Sequence, residues 1–336
     1  MKTGDSKLSS QAALTTTAAT LLIVLAAAIF FLKPGAGRLS SKSLRAQAAA
    51  PVQYKPDKLT VGGSSIKVEF GPGPLALPRS SVIDWIQRSA NSVSHYYGHF
   101  PTERATIRVM PFYGRGTGFA TTDSEDDHGL IIIPVGHNTT EVQLQRDWVL
   151  THEMVHLAFP LVYPKHRWLA EGMATYIEPI ARLQAGYLPP EKMWGDLVDE
   201  LPKGLPEDGD HGLNDTGSWG RTYWGGALFC FLADLKIRKE TGDKKGLQQA
   251  LQKIDSTEGD ITSDLEVEDA LKLGDKGIGP NSKILENLYL TMKDKPVTPD
   301  LTKIWQELGI KRVDGKIAFD DKAPLAKTRK AIEAGI

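Results

Sequence analysis

The chain has 336 residues, 41% of them hydrophobic and 24% charged, with a net charge of −1. That composition is globular and excludes a disordered, collagen-like or polytopic membrane chain. The near-zero balance gives no global basic field for nucleic acid, although residues 1–50 alone carry six Lys/Arg against one acid, net +5, which leaves the rest at −6.

In chain order, the first feature is Ala12–Leu32, about 21 residues that are apolar or Thr. At ~1.5 Å per residue it spans a hydrocarbon core of ~30 Å. The stretch predicts an N-terminal apolar helix serving as a membrane anchor. Ala46-Gln47-Ala48 fits a signal-cleavage site, so a removed signal peptide is the alternative. Four Lys/Arg follow the stretch and two lysines precede it, which runs against export by the positive-inside rule. The Ala- and Ser-rich linker 36–51 resembles a stalk, and the expectation is an exported domain in the cell envelope. The single cysteine, Cys230, excludes an intramolecular disulfide and a Cys-rich metal cluster. Its apolar surroundings predict a buried side chain.

Residues 51–138 read as an α/β sheet subdomain. Strands are predicted at Ser65–Phe70, Ala105–Met110 and Gly129–Val135, with another inside Gly114–Asp123. Apolar residues recur at three and four over Ser80–Tyr97, the period of a helix. The acidic run Asp123–Asp127 reads as a solvated loop. Residues 139–336 read as a helical subdomain. Thr139 or Thr140 caps a helix running to Phe159, where Pro160 stops it. Further helices are predicted over 166–178, ending before Pro179, and over 221–241. Shorter ones follow at 246–254, 281–293 and 298–308, then a strand at Lys316–Phe319 and a last helix at 324–334. The fold class is therefore α+β, a small mixed sheet followed by a mostly helical half.

The chemistry concentrates in His152-Glu153-Met154-Val155-His156. Residues four apart lie one turn above each other on a helix, so His152 and His156 can each give a ring nitrogen to one zinc ion. Glu153 falls beside the metal, placed to take a proton from water. Catalytic zinc takes three protein ligands and keeps one position open. Glu171, in Trp168-Leu-Ala-Glu-Gly-Met-Ala-Thr-Tyr176, is the third ligand in this reading. The intervening chain is long enough to bring a return helix beside the first. Gly172 would let those two helix backbones approach closely, and Thr175 stands one turn on, placed to hydrogen-bond a ligand. Trp168 and Tyr176 read as core aromatics, and His166 as a surface histidine.

These segments resemble the gluzincin metallopeptidases, thermolysin-like zinc proteases, and among them the aminopeptidase-N-like and glycyl-aminopeptidase-like branches. Tyr223-Trp-Gly-Gly-Ala-Leu-Phe-Cys-Phe-Leu-Ala-Asp-Leu-Lys-Ile-Arg238 extends the resemblance, which covers about 92–241. It implies a thermolysin-like catalytic domain, and that Tyr223 donates its hydroxyl to the oxyanion of a tetrahedral intermediate. A neutral donor there strengthens as charge develops. One segment departs. Aminopeptidases of these branches carry a Gly-x-Met-Glu-Asn-like edge strand whose Glu binds the substrate's amine, whereas the nearest counterpart here, Gly116–Thr122, has no Glu.

The expectation is a zinc peptidase acting on a peptide or protein substrate, with His152, His156 and Glu171 as metal ligands, Glu153 as general base and Tyr223 as oxyanion donor. Amino- and endopeptidase action both stay open. The alternative is a membrane-tethered scaffold that retains the fold without turnover.

Overall fold

The computed structural model describes residues 56–335, apart from 216 and 258. The anticipated N-terminal apolar helix, the signal-cleavage site and the linker 36–51 lie outside the described residues. Among the described residues no helix is long and apolar enough to cross a membrane.

Strands β1 (Asp57–Val61) and β2 (Ser64–Phe70) form an antiparallel hairpin. Gly62 and Gly63 make its turn with φ of 55° and 89°, positive values that a two-residue hairpin turn demands. Helix α1 (Arg79–Tyr97) then leads to β3 (Arg104–Phe112), parallel to β2. Of its periodic residues, Val82, Trp85, Ile86, Val93 and Tyr96 are buried and Ile83 is half-buried, so the face read from the sequence is the packed face. Strand β5 (His128–Gly136) lies parallel to β3, and β4 (Thr121–Glu125) pairs antiparallel with β5. The sheet order β1-β2-β3-β5-β4 leaves β4 at an edge.

The strand expected inside 114–123 starts only at Thr121. Residues 114–120 form an arch tied to β5, where Gly118 N donates to Pro134 O at 2.9 Å and Gly136 N to Gly116 O at 2.8 Å. The acidic run is only partly the loop anticipated: Asp123–Glu125 belong to β4, paired with β5, and Asp126 and Asp127 close the hairpin. Asp126 and Asp127 take φ of 49° and 56°, a left-handed geometry that Asp tolerates better than most side chains.

The helical half contains α2 (Glu141–Arg146), α3 (Val149–His156), α4 (Arg167–Gln184), α5 (Pro190–Glu200), α6 (Gly226–Thr241), α7 (Leu247–Asp255), α8 (Val267–Ile278), α9 (Ile284–Met292) and α10 (Leu301–Leu308). The hairpin β6 (Ile310–Val313) and β7 (Lys316–Phe319) and helix α11 (Ala326–Ala334) follow. Thr140 does cap α2, with Gln143 completing a capping box. The helix expected to run on to Phe159 is broken, however. Asp147 is extended, at φ −63° and ψ 139°. Its carboxylate accepts from the Leu150 amide (3.1 Å), Trp85 Nε1 (3.2 Å) and the Thr117 hydroxyl (2.6 Å). One half-buried acid thus ends one helix, starts the next and ties both to α1 and the arch. The predicted stop at Pro179 also fails, because α4 continues to Gln184 with Pro179 inside it. Ile177, Ile180 and Ala181 around it are fully buried, and that packing outweighs the lost amide donor.

A continuous apolar core runs from β1 and β2 through the helices to Ile332 of α11. Cys230, Trp168 and Tyr176 are buried in it as expected. His166 is not the surface residue anticipated. It is 4% exposed, with Nδ1 3.2 Å from the Tyr289 hydroxyl.

Candidate metal centre

Helix α3 carries His152 and His156 one turn apart, and α4 presents Glu171 beside them. His152 Nε2 lies 3.3 Å and His156 Nε2 3.5 Å from the same oxygen, Glu171 Oε2. One donor atom from each of the three lies within 4.8 Å of the others. No other group of His, Cys, Asp and Glu converges in this way among the described residues.

Burial acts to raise the Glu171 carboxyl, but the hydrogen bonds and charges of the two histidines outweigh it and hold the group well below the usual carboxylate range. Burial lowers the His152 imidazole, partly countered by its bond to Glu171. An ionised carboxylate and a neutral imidazole are the protonation states in which these groups ligate a metal. Two imidazole nitrogens and one carboxylate oxygen suit zinc, so the donor set fits that ion. His152 Nδ1 is buried without a hydrogen-bond partner. Packing therefore orients the ring, between the edge of Trp148 at 5.7 Å and the face of Tyr223 at 6.3 Å.

Glu153 is buried on the same helix. The Thr122 hydroxyl lies 2.6 Å from Glu153 Oε2 and 3.0 Å from its backbone oxygen, so strand β4 fixes the carboxylate from the sheet side. Tyr223 comes from a π-helical turn, Arg221–Gly225, that leads into α6. The turn is anchored by buried Arg221, whose Nε is 2.6 Å from Asp210 Oδ2. Burial first, and then the Glu171 charge, raise the Tyr223 phenol, which keeps the hydroxyl a neutral donor.

The close approach expected at Gly172 is real, but its partner is different. A Cβ on Gly172 would collide with the backbone of Gly226, and a Cβ on Gly226 with the Trp168 carbonyl. The missing side chains let α4 press against α6 rather than α3, which sets Tyr223 beside Glu171. Thr175 makes no bond to a ligand and lines a second cavity instead. The residue that does reach the candidate ligand set is Arg167, one turn before Glu171. Its Nε donates to Glu171 Oε1 at 3.1 Å, and Nη2 lies 3.5 Å from the Tyr223 hydroxyl.

All five anticipated residues, His152, Glu153, His156, Glu171 and Tyr223, line one cavity of about 470 Å³. A second cavity, about 780 Å³, shares Trp148, His152 and Tyr223 with it. Sequence reasoning missed Thr122 and Arg167 as functional residues. The i,i+4 spacing of Arg167 and Glu171 is the signal that points to the latter.

No protein-family model and no curated protein matches the sequence. Solved structures do. An aminopeptidase N family protein from Idiomarina loihiensis is 14% identical, with a TM-score of 0.57 over 80% of this chain and 53% of that one. An M1 zinc metallopeptidase from Deinococcus radiodurans is 15% identical, with a TM-score of 0.46 over 74% of this chain and 53% of that one. The chain spans about half the length of these structures. The first likeness shows the fold alone: the chain has an aminopeptidase-N-like fold.

Proposed function

We propose that the chain is a zinc-dependent peptidase, with His152, His156 and Glu171 as ligands, Glu153 as general base and Tyr223 as oxyanion donor. The observation that carries this reading is the convergence of those five side chains on one cavity. Zinc bound by three ligands supplies an acidified water and a Lewis acid for a carbonyl oxygen. Glu153 takes the proton of the attacking water and returns it to the leaving amine. Its Oε2 already accepts from Thr122, which leaves Oε1 for that transfer. The Tyr223 hydroxyl donates to the oxygen on which negative charge develops. Residues 118–122 line the cavity, and β4 is an edge strand, so an extended peptide can add to it through backbone hydrogen bonds.

Cleavage profiling on a diverse peptide pool tests the reading. Glu153→Gln is expected to keep its zinc and lose roughly 10²–10⁴-fold in turnover. Turnover equal to wild type would remove Glu153 as the base. Glu171→Ala is expected to lose most bound zinc by metal analysis. A metal-loaded wild type that cuts nothing would favour a non-catalytic binding protein. The N-terminal stretch belongs to the same proposal, as an anchor or cleaved signal that sends the domain to the cell envelope. Membrane fractionation with N-terminal sequencing distinguishes the two.

A further inference from the structure

We propose that Arg167 is the specificity-determining residue of this cleft, and that it takes a carboxylate of the substrate, either the C-terminal carboxylate or an acidic side chain. The inference rests on the peptidase reading and names the substrate class of that site.

The first observation is the charge left over in the cavity. Its charged or titratable lining groups are the three metal-set residues, Glu153, Tyr223 and Arg167. With the metal set, the base and the phenol assigned, Arg167 is the one lining charge without a role. No further acid lines the cavity to receive a substrate ammonium. Asp123, Glu125 and Asp126 follow on β4 and its turn but do not reach the lining, and Glu125 lies 3.9 Å from Arg108. A divalent cation, neutral imidazoles, two carboxylates and one guanidinium leave the cavity with a net positive charge. That field favours an anion and opposes a free amine.

The second observation is the way the guanidinium is held. Of its five N–H donors, one goes to Glu171 Oε1 and one faces the Tyr223 hydroxyl. Three remain, on the two terminal nitrogens that form the fork suited to a carboxylate. The side chain is 58% exposed, so the fork is reachable from solvent. As an ion pair alone, such an exposed i,i+4 contact contributes little. Because the fork stands beside the oxyanion donor, the carboxylate it takes must lie within a residue or two of the bond being cut. Exposed Phe119, Trp148 and Leu161 around the cavity offer apolar contact to the flanking side chains.

The test is calorimetric binding of N-acetylated Phe/Ala tetrapeptides to the zinc-loaded, full-length Glu153→Gln protein. Three forms are compared: free C-terminal acid, C-terminal amide, and amide with Glu placed at each position in turn. One carboxylate-bearing form is expected to bind at least about tenfold tighter than the neutral amide, and which form does so identifies the source. Arg167→Gln should erase the difference and Arg167→Lys should retain part of it, with zinc content measured in both. Equal binding of acid, Glu-containing and neutral peptides overturns the proposal, as does a preference that survives in zinc-replete Arg167→Gln. Should Arg167→Gln lose zinc, the wild-type peptide series and Arg167→Lys decide. Wild-type cleavage without a carboxylate preference leaves the peptidase reading standing and removes this one. A carboxylate preference in binding without wild-type cleavage does the reverse.

Discussion

Thr122 shows how much a single hydroxyl can organise. It lies on β4, yet it is the side-chain partner of Glu153 on α3. Replacing it with Val keeps the shape and removes the donor, which leaves Glu153 free to rotate. Thr122→Val is expected to lower kcat about tenfold with KM unchanged, the cost of one charge-assisted hydrogen bond. Thr122→Ser should restore most of it; steady-state kinetics of the two variants decides. The adjacency of His152 and His156 was legible because helix geometry turns a spacing of four into one turn, whereas Glu171 was read from the chain length that returns a second helix beside the first. The bond from Thr122 to Glu153 crosses from a sheet edge to a helix, and no period in the chain announces such a pair.

Among the elements, the crossing of α4 and α6 sets the position of Tyr223, the proposed oxyanion donor. Gly172 and Gly226 meet there backbone to backbone. Gly172→Ala should therefore push the helices apart, although in an isolated helix the same change is favourable. The expected loss is about 1–3 kcal/mol by chemical denaturation, typical of overpacking, with a fall in kcat as Tyr223 moves off its line. Unchanged stability would mean that the helices can separate freely. The role of Gly172 in close packing was legible, but the identity of its partner was not, since sequence does not say whether the preceding helix α3 or the later helix α6 meets it there. The same limit explains the helix boundaries. Asp147 reads as an ordinary helix residue until Trp85, Thr117 and Leu150 are seen to converge on it.

For the whole molecule, buried acids set how stability varies with pH. Burial and then the charge of Asp260 push the Asp255 carboxyl up to about 8. The side chain is fully buried, with His99 Nε2 3.2 Å away. A carboxyl whose folded pKa lies above its unfolded value of 3.8 favours folding when protonated. Its contribution is present below pH ~4 and is lost as pH rises through ~8. Asp255→Asn is thus expected to raise the melting temperature at pH 9, with the gain shrinking toward pH 4. A gain that is the same at both pH values would place the carboxyl in water. The mixed α/β character, a sheet with many helices, was legible from helical period and β-branched runs. The β1–β2 pairing and helices α5 and α8 were not: α5 contains Gly195 and α8 contains Gly274 and Gly277, residues that weaken a helical reading.

The π-helical turn at Arg221–Gly225 carries a consequence for how this fold gains or loses activity. Such a turn holds one residue more than the α-helix it interrupts, and each residue of an α-helix rotates the chain by ~100°. Deleting a single residue inside the turn would re-phase Tyr223 away from the ligands while α6 kept its seat on Gly172. On the proposed function, a catalytic and an inert version of this protein stand one codon apart, and they would share the three metal ligands.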